Sequence, residues 1–391
     1  MKNIDSIIKE ISCGLVSQNE VGDVVVGLSG GVDSAVVAFI LKESGYNVRC
    51  LHMVCWKSSD SWCTSDQDLT DSISIASSFG LPIEIVDYTK EYKEKIFDYM
   101  ITSYKLGLTP SPDVICNREI KFGLGLEYAQ KNKSYFATGH YAKIVKKADL
   151  SNVGLRNFLK SKIDRLVCSH QNLKKDQSYF LSSIISNEYL NRVIFPLSYM
   201  ESKEITREIA KYAGIKVSEK PDSQGLCFVG DVSMSKFLPN YIESNVGEVI
   251  NSKNEVIGEH KGLHLYTVGQ RHGFDIYKYT GMPLYVVSKD LNNNRLMVGE
   301  KTDCMVREIK VKIRDLVIST ENGLNELIRN DELSVRVRSS GEYNKVSNVQ
   351  MLGEGIYQTL LKRPIFAAAE GQVVAFYCGD AVVASGEITF K

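Results

Sequence analysis

The chain has 391 residues, with 47 Lys and Arg against 47 Asp and Glu, 43% hydrophobic residues and 24% charged residues. At about 100–200 residues per domain, this length predicts two or three domains, each with enough apolar sequence to bury a core. The composition excludes a disordered, collagen-like or coiled-coil chain, and the zero net charge argues against a basic surface over the whole protein. A local basic face stays open, because residues 143–165 hold seven Lys or Arg against two Asp.

The apolar runs and the cysteines of the sequence indicate the cellular compartment of the protein. No stretch approaches the about 18 apolar residues that a membrane span needs, and the first 20 residues carry Asp5, Glu10 and Glu20 without a long apolar run. Nine cysteines are an odd number without a C-x-x-C pair, which argues against a disulfide scaffold. We therefore expect a protein of the reducing cytoplasm with no signal peptide and no membrane partner.

Strand and helix patterns alternate through the first 140 residues. After a leading helix, β-branched runs predict strands at residues 23–28, 48–54, 83–86 and 135–138. Helical spacing of apolar residues lies between them, at residues 33–43, 64–79, 89–106 and about 117–131. Such alternation predicts an α/β fold with a doubly wound parallel sheet. Ligands of these sheets bind at the carboxyl ends of the strands.

The second half of the chain has a different sequence pattern. Residues 201–213 form one more helical pattern, and from about residue 245 short strands are separated by Gly, Asn and Asp turns. Residues 284–288 and 295–298 flank a turn and predict a hairpin. Further strands are predicted at residues 333–338, 357–361, 372–377 and 381–388. This pattern predicts a small β-barrel or sandwich.

A turn rich in glycine and serine joins the first predicted strand to the next helix. It reads GLSGGVDS and consists of Gly27, Leu28, Ser29, Gly30, Gly31, Val32, Asp33 and Ser34. The two central glycines let the backbone approach a ligand closely, and N–H groups at a helix start favour an anion. The turn is neither a Walker A loop nor G-x-G-x-x-G. Because a carboxylate repels phosphates, Asp33 suits a site where Mg²⁺ links it to a pyrophosphate.

Cys116 lies in a segment rich in proline, TPSPDVICNREIKF, at residues 109–122. The prolines keep the approach extended, so a helix is expected to begin near Asn117. At such a helix start, with Arg118 and Lys121 close by, the pKa of the Cys116 thiol is expected to be lowered. That would make Cys116 a nucleophile.

Cys227 lies in KPDSQGLCFVGD at residues 220–231, a connection between two patterned segments. Loops of this composition carry function more often than packing. Taken alone, each of the two cysteines is more typical of a small buried hydrophobe. Beside a nucleotide loop, the functional interpretation is favoured for both.

The turn at residues 27–34 resembles the pyrophosphate loop of N-type ATP pyrophosphatases, and the chain from about residue 22 to 391 resembles the tRNA-specific 2-thiouridylase (MnmA) family. Besides SGGVDS, the resemblance rests on the segments SPDVICNREIKFG, ATGHYA, KDQSYFL, KPDSQGLCFVG, GEHKGLHLYTVGQRHG and GQVVAFYCGD, in this order. It implies an adenine-nucleotide-alpha-hydrolase-like catalytic domain at residues 1–200, a small central tRNA-contacting domain at 201–280 and a C-terminal β-barrel at 281–391.

The resemblance implies that ATP adenylates the C2 oxygen of the wobble uridine (U34) of tRNA, which is then replaced by sulfur. Cys227 would carry a persulfide from a cysteine desulfurase or a sulfur-relay protein, and Cys116 would attack it to free the sulfur, leaving a disulfide that a reductant opens. ATP would lie on the loop at residues 27–34, with Met53 and Gly139 lining the nucleotide and Mg²⁺ held through Asp33.

For tRNA, the resemblance implies contacts to the anticodon loop and stem. The residues implied are Ser111, Pro112, Asp113, His140, Lys175, Asp176, Gln177, Arg336, Val337 and Gln372. Ser111 stands where the family usually has Asn, and Val337 where it usually has Tyr. Residues 1–20 and much of 146–165 have no counterpart in the family, and Cys50, Cys55 and Cys63 are interpreted as structural.

Three alternatives stay open at this point. Another ATP pyrophosphatase, such as an adenylating synthetase, would have no need for the two thiols. An iron–sulfur enzyme could use Asp113, Cys116 and Cys227 as cluster ligands. A tRNA-binding module with an inactive loop would bind tRNA without ATP-dependent release of pyrophosphate, although intact Ser29, Asp33 and Ser34 argue against it.

Overall fold

The computed structural model describes residues 3–58, 63–186, 188, 190–222, 226–230, 232–277, 281–319 and 321–390. Part of the segment around Cys227, residues 223–225 and 231, therefore lies outside the described residues. The chain divides into two compact units. The first contains residues Met1–Ile96, Asp113–Val232 and Asp380–Val382, and the second contains Phe97–Pro112, Ser233–Gly379 and Val383–Lys391.

The helices and strands have the following bounds. The α-helices are α1 (Ile4–Gln18), α2 (Val32–Glu43), α3 (Ser65–Ser78), α4 (Thr89–Tyr92), α5 (Asp98–Lys105), α6 (Pro112–Cys116), α7 (Leu126–Lys131), α8 (Val153–Phe158), α9 (Lys203–Tyr212), α10 (Met234–Phe237) and α11 (Glu321–Arg329). The strands are β1 (Asp23–Gly27), β2 (Asn47–Val54), β3 (Ile83–Asp87), β4 (Tyr135–Ala137), β5 (Lys143–Lys146), β6 (Arg165–Cys168), β7 (Val193–Ile194), β8 (Gly247–Ile250), β9 (Val256–His260), β10 (Asp275–Ile276), β11 (Tyr285–Asp290), β12 (Arg295–Gly299), β13 (Met305–Leu316), β14 (Leu333–Arg336), β15 (Asn344–Gly353), β16 (Ile356–Phe366), β17 (Val373–Cys378) and β18 (Ala381–Thr389). Two π-helical segments are Lys93–Phe97 and Asn117–Gly125, and 3₁₀ turns lie at Lys147–Asp149, Ser178–Ile184, Leu190–Arg192, Pro196–Tyr199, Leu238–Asn240, Leu263–Leu265 and Lys301–Cys304.

A five-stranded parallel sheet forms the centre of the first unit, which confirms the predicted α/β fold. Its strand order is β3-β2-β1-β4-β7, and each neighbouring pair is parallel. The middle strand β1 is buried on both faces at Val24, Val25 and Val26, as expected for a sheet covered by helices on both sides. Because α2 follows β1 directly, the turn between them lies at the carboxyl edge of the sheet.

The leading helix α1 packs on this unit through one apolar face. Ile8, Ile11 and Leu15 are buried, and their spacing of three and four residues places them on the same side of the helix. Asn3 caps its first turn by accepting from the Asp5 N–H. These three side chains therefore fix α1 against the rest of the unit.

The helix that carries Cys116 begins earlier than the sequence pattern predicts. It starts at Pro112, runs through α6, continues as the π-helical segment Asn117–Gly125 and ends with α7. The expectation of a start near Asn117 is wrong because proline fits the first turn of a helix, where its missing N–H needs no partner. Cys116 is therefore the last residue of α6, inside a continuous helical stretch.

The second unit is rich in β-structure, as predicted. Strands β8–β12 form one sheet in the order β10-β9-β8-β12-β11, with the predicted hairpin at β11 and β12. Strands β13–β18 are six strands of an eight-stranded sheet and lie in the order β13-β16-β15-β14-β17-β18, and these six close into a barrel because β13 also pairs with β18. The chain therefore ends in a closed β-barrel, one of the two forms that the sequence pattern allows.

The basic segment at residues 143–165 is folded. Strands β5 and β6 pair as an antiparallel hairpin, and α8 lies in the connection between them. Leu150, Leu155, Leu159 and Ile163 are buried beneath this connection. No helix in the described part of the chain combines the length and apolar character that a bilayer span requires.

Candidate active site

The turn between β1 and α2 forms a cradle of backbone and hydroxyl groups. The Ser29 N–H donates to Ser34 Oγ (3.2 Å), and the two serine hydroxyl oxygens lie 3.1 Å apart. Ser34 Oγ in turn donates to the Gly31 carbonyl (3.1 Å). These contacts hold the first turn of α2, whose N–H groups and positive dipole end favour an anion.

Two glycines in and beside this turn leave no room for a side chain. Gly30 has φ +78°, and a Cβ there would collide with the Asp68 carbonyl oxygen. Gly139 follows the end of β4, and a Cβ there would lie 2.9 Å from Asp33 Cβ and 3.1 Å from the Ser34 nitrogen. Gly139 is therefore packed against the turn between β1 and α2.

A buried lysine neutralises the carboxylate of the loop. Lys203, at the start of α9, has a side chain that is only 6% exposed, and its Nζ lies 2.6 Å from Asp33 Oδ1 and 2.8 Å from Asp222 Oδ1. Tyr141 Oη also donates to Asp33 Oδ1 (3.1 Å). Burial raises the pKa of Asp33, and the Lys203 ammonium opposes that rise.

A second lysine joins the segment before Cys227 to the same loop. Lys220 Nζ donates to the Gly30 carbonyl (3.2 Å) and pairs with Asp68 (2.8 Å) and Asp71 (2.6 Å) of α3. Asp222, two residues later, pairs with Lys203. The start of the cysteine segment is therefore tied to the phosphate loop on both sides.

The structure brings the two predicted cysteines together. Cys116 Sγ donates to Cys227 Sγ over 3.6 Å, although 111 residues separate them. The Cys227 N–H donates to Asp113 Oδ1 (3.3 Å), and its carbonyl accepts from Tyr92 Oη (2.7 Å). Cys116 is fully buried, whereas Cys227 is partly exposed. The pair is close enough for a disulfide after a small movement.

The two thiols have opposite electrostatic environments. Burial, with the hydrogen bond to Cys227, raises the pKa of Cys116 well above its ordinary value. The pKa of Cys227 is lowered, first by the hydrogen bond from Cys116 and then by the Lys121 ammonium. Lys121 Nζ lies 5.7 Å from the centroid of the Phe228 ring. Both sulfurs raise the pKa of Lys121. Cys227 is therefore the better thiolate of the two.

The expectation that the pKa of Cys116 is lowered is wrong. Cys116 is not at a helix start, and it is removed from water inside the helical stretch that begins at Pro112. Arg118 Nε pairs instead with Glu119 Oε1 (2.8 Å). Lys121 lowers the pKa of both thiols, but at Cys116 burial outweighs it.

Replacing Lys121 by Met is expected to slow alkylation of Cys227 near neutral pH. Loss of the ammonium removes a group that stabilises the thiolate, so the pKa of Cys227 rises and the pH profile of alkylation moves to higher pH. Each unit of rise lowers the thiolate fraction about tenfold below the pKa. The measurement is the iodoacetamide labelling rate of the Cys227 peptide by mass spectrometry between pH 6 and 10.

Lys95→Met is the matched control for this prediction. Lys95 has a partly exposed side chain and pairs with Glu119 (3.3 Å) on the same helical region, but it does not contribute to the pKa of either thiol. Its labelling profile should follow that of the unaltered protein. Equal profiles for both variants would contradict the role given to Lys121.

Met53 and His140 lie in the first unit at the ends of β2 and β4. Met53 is 7% exposed, and its sulfur lies 3.2 Å from the position of a Cβ on Gly125, so it packs against the helical segment after Cys116. His140 Nδ1 is 2.7 Å from Thr138 Oγ1, and its ring packs against Phe122. Burial lowers the pKa of His140 well below its ordinary value, so the imidazole is neutral.

The Lys175–Gln177 triplet follows β6 and holds two backbone turns. Asp176 Oδ1 accepts from the N–H groups of His170 (2.9 Å) and Ser178 (3.1 Å). Gln177 Oε1 accepts from the Tyr141 N–H (2.9 Å). Lys175 has a side chain that is 41% exposed, and it pairs with Asp222 (3.5 Å). All three residues of the triplet therefore have polar contacts within the protein.

The remaining predicted tRNA residues lie in the second unit, apart from Asp113. Arg336 is buried between the rings of Tyr343 (5.0 Å) and Tyr377 (5.9 Å), and its guanidinium also donates to the Ser339 carbonyl. Gln372 Oε1 accepts from the Ala369 N–H (2.9 Å), and Val337 is buried beside Arg336. Ser111 Oγ accepts from the Val373 N–H (3.2 Å), next to Pro112. These side chains are held by contacts within the unit.

Three further cysteines have the following places. Cys50 is buried in β2, and Cys63 forms a β-bridge with Gly230 of the Cys227 segment. Cys55 is buried just after β2, and burial raises its pKa, with a further contribution from Cys227. In the described part of the chain, no group of three or more His, Cys, Asp and Glu side chains is placed to hold a metal ion.

Sequence reasoning missed Lys203, Lys220, Asp222 and Tyr141. Lys220 and Asp222 stand in the segment KPDSQGLCFVG, so a signal was available for them. Lys203 begins an ordinary amphipathic helix, and nothing in its sequence surroundings distinguishes it. Only the packing of α9 beside α2 brings it to Asp33.

The order of the parallel sheet, the turn before α2 and the neighbouring thiol pair define a doubly wound nucleotide-binding domain of the adenine-nucleotide-alpha-hydrolase-like class. Residues 22–231 match the family model described as tRNA methyl transferase HUP domain. Residues 235–300 match the tRNA methyl transferase PRC-barrel domain, and residues 306–388 match the aminomethyltransferase beta-barrel domain.

Curated relatives match the chain almost from end to end. The tRNA-specific 2-thiouridylase MnmA of Listeria monocytogenes is 39% identical over 371 residues, which cover 93% of this chain and 94% of that protein. The proteins of the same name from Listeria innocua and Bacillus subtilis are 40% and 37% identical, with the same coverage of both chains. The chain therefore belongs to the tRNA-specific 2-thiouridylase family of enzymes.

Likeness to solved structures is much weaker. The U34-tRNA thiolase NcsA of Methanococcus maripaludis, with its [4Fe-4S] cluster, is 17% identical with a TM-score of 0.35, over 57% of this chain and 70% of that chain. Structural similarity of this size gives no information about the function of this chain.

Proposed function

We propose that this chain uses ATP to replace the C2 oxygen of the wobble uridine (U34) of tRNA with sulfur. Membership of the 2-thiouridylase family supports the reaction. The observation that carries the proposal is the 3.6 Å separation of Cys116 and Cys227 sulfurs in the unit that also holds the phosphate loop. An adenylating synthetase has no use for such a pair.

The phosphate loop fits ATP as the co-substrate. Gly30 and Gly139 pack closely against Asp68 and the start of α2, which fixes the backbone of the loop, and Ser29, Ser34 and the start of α2 supply donors. Asp33, with its carboxylate 29% exposed, suits the Mg²⁺ that accompanies a pyrophosphate, since this ion is often held by one carboxylate and the phosphate oxygens. Mg²⁺ would supply neutralisation of charge on the leaving pyrophosphate.

Activation by adenylation has a plain chemical reason. The C2 carbonyl oxygen of uridine is a poor leaving group, and its attack on the α-phosphate of ATP converts it into an AMP ester with release of pyrophosphate. Sulfur can then add to C2 and expel AMP. Met53 and Gly139, beside the loop, are the residues that we assign to the nucleotide.

We assign the sulfur-carrying role to Cys227 and the releasing role to Cys116. Cys227 has the lowered pKa and partial exposure that suit attack on the persulfide of a donor, a cysteine desulfurase or a relay protein. Its terminal sulfur bonds to C2 as AMP leaves. Cys116 then attacks Cys227, which breaks the bond to the transferred sulfur, forms the Cys116–Cys227 disulfide and frees thiouridine.

The disulfide must be opened by a dithiol or similar reductant before the next cycle. Burial raises the pKa of Cys116, which keeps its proton in place while Cys227 is a thiolate. Once the terminal sulfur on Cys227 is bonded to C2, the negative charge beside Cys116 is gone and the cost of ionising Cys116 falls. Cys227 therefore reacts first, and Cys116 reacts second.

For tRNA we propose contacts by the residues that the family resemblance implies. These residues have different roles in binding. Lys175 is exposed and suits a phosphate, and Asp113, next to Cys227, suits the target base. Neutral His140 would contact the base by packing or hydrogen bonding rather than by charge. We also keep the three-domain division at residues 1–200, 201–280 and 281–391 as a proposal.

The test is incubation of the protein with ATP, Mg²⁺, a persulfide donor and unmodified tRNA, followed by nucleoside mass spectrometry. We expect 2-thiouridine that depends on ATP and on the donor. A tRNA with cytidine at the wobble position is the control and should yield none.

Two results would contradict the proposal. Pyrophosphate release with a small carboxylate and no thiolation of tRNA would indicate an adenylating synthetase. Thiolation that requires stoichiometric iron in anaerobically purified protein would indicate chemistry based on a cluster.

A further inference from the structure

The hairpin of β5 and β6, with the connection that contains α8, is a compact basic segment, which we call the insertion because the family resemblance offers no counterpart for much of residues 146–165. Asn152 caps α8 by accepting from the Leu155 N–H (2.8 Å), and Arg156 Nε donates to the Leu150 carbonyl (2.8 Å). The segment from 143 to 165 therefore has its own small core and presents a fixed surface. Its seven Lys and Arg against two Asp contrast with a chain of zero net charge.

Several of these cationic side chains form no ion pair with the described residues of the protein. Lys146 and Lys162 are exposed and Lys147 is partly exposed, and none of the three ammonium groups has an ion-pair partner among the described residues. A surface with unpaired cations of one sign attracts a polyanion, because binding releases the counterions that screen it.

A cavity of about 430 Å³ lies at the base of the insertion. Its walls include Lys143 and Arg165 of the hairpin, Gln18 and Asn19 at the end of α1, Gln171, and the carboxylate residue Glu201. Arg165 donates through Nη1 to Asn19 Oδ1 (3.3 Å), whereas its Nε is buried without a hydrogen-bond partner among the described residues.

A buried guanidinium N–H without an acceptor is costly unless a ligand supplies one. With two cations against one carboxylate, and three side-chain amides that can donate, the walls suit a phosphate group. In the β5–β6 ladder Lys146 stands opposite Arg165, which lines the cavity, so one phosphate chain can engage both groups.

We infer that the insertion at residues 143–165 and the cavity at its base form a binding surface for RNA backbone phosphates. This inference rests on the proposed tRNA substrate, and it adds a contact away from the thiol pair. The cavity wall formed by α1 lies outside the matched family model, which begins at residue 22, so the surface is built partly from residues that the model does not include.

The test compares two variants that lose the same charge. One carries Lys146→Gln, Lys147→Gln and Lys162→Gln, and the control carries Lys9→Gln, Lys133→Gln and Lys253→Gln at exposed positions elsewhere. Binding of unmodified tRNA is measured between 50 and 300 mM salt. Each lost phosphate contact should lower the slope of log affinity against log salt by about 0.7–0.9. We expect a slope lower by about two and affinity about tenfold weaker at 100 mM salt for the insertion variant only.

Arg165→Gln and Arg165→Lys test the cavity. The Gln variant should weaken tRNA binding, and the Lys variant should keep part of it because the charge remains. Stabilisation of the unaltered protein by inorganic phosphate that Arg165→Gln abolishes, with unchanged tRNA affinity, would overturn the inference in favour of a free-anion site. If the unaltered protein binds no tRNA, the proposed function fails; if it binds and both triple variants match, only this inference fails.

Discussion

Replacing Cys227 by Ser is expected to reduce formation of 2-thiouridine to an undetectable level, while ATP-dependent release of pyrophosphate in the presence of tRNA continues. A hydroxyl cannot carry a sulfane sulfur, whereas adenylation needs only the phosphate loop and the uridine oxygen. The sulfurs of Cys227 and Cys116 are 3.6 Å apart, so the two variants should fail at different steps. The measurements are nucleoside mass spectrometry and a coupled pyrophosphate assay.

Cys116→Ser should load sulfur on Cys227 but fail to release it. Mass spectrometry of the Cys227 peptide should then find a persulfide, or an adduct to tRNA, that the Cys227→Ser protein lacks. Cys13→Ser, at an exposed cysteine of α1, is the matched control and should retain full activity. Normal product from the Cys227→Ser protein would remove the thiol pair from the mechanism.

Replacing Lys203 by Met is expected to destabilise the first unit by about 2–4 kcal/mol and to weaken ATP binding at least tenfold. The Lys203 side chain is 6% exposed and its Nζ lies 2.6 Å from Asp33 Oδ1, so its loss leaves a largely buried carboxylate without its cation. The contribution of Asp222 is smaller, because that side chain is 42% exposed and screened by water. Urea unfolding followed by circular dichroism measures the change in the free energy of unfolding.

The pH dependence of this deficit has a defined sign. Burial already raises the pKa of Asp33, and loss of Lys203 raises it further. A carboxyl whose pKa is higher in the folded state binds more protons there, so the Lys203→Met protein should recover stability relative to the unaltered protein as pH falls through that pKa.

Two further variants test whether the effect of Lys203→Met comes from the lost pairing of Lys203 with Asp33. Lys203→Met combined with Asp33→Asn should regain most of the lost stability without regaining ATP binding, because the unpaired carboxylate is gone but the loop has lost its charged groups. Lys211→Met, in the exposed pair with Glu219 (2.6 Å), should change stability by no more than about 0.5 kcal/mol. An equal effect of the Lys203 and Lys211 variants would contradict the role given to Lys203.

Much of the site was predictable because it depends on local backbone chemistry. Gly30 has φ +78°, and Ser34 bonds back within its own turn, so the shape of the loop depends mainly on residues that are close together in the chain. The parallel sheet follows in the same way from the alternation of strand and helix. The helix start was missed by several residues, since Pro112 is compatible both with an extended approach and with a first helical turn.

The sequence by itself determined the order of elements, the phosphate loop and the two cysteines to be considered, because each depends on residue type and short-range spacing. Only the tertiary structure decided that Cys116 and Cys227 meet, that burial reverses the expected pKa shift of Cys116, and that Lys203 neutralises Asp33. The physical reason is that desolvation and pairing of charges depend on distances between residues far apart along the chain, which local patterns do not encode.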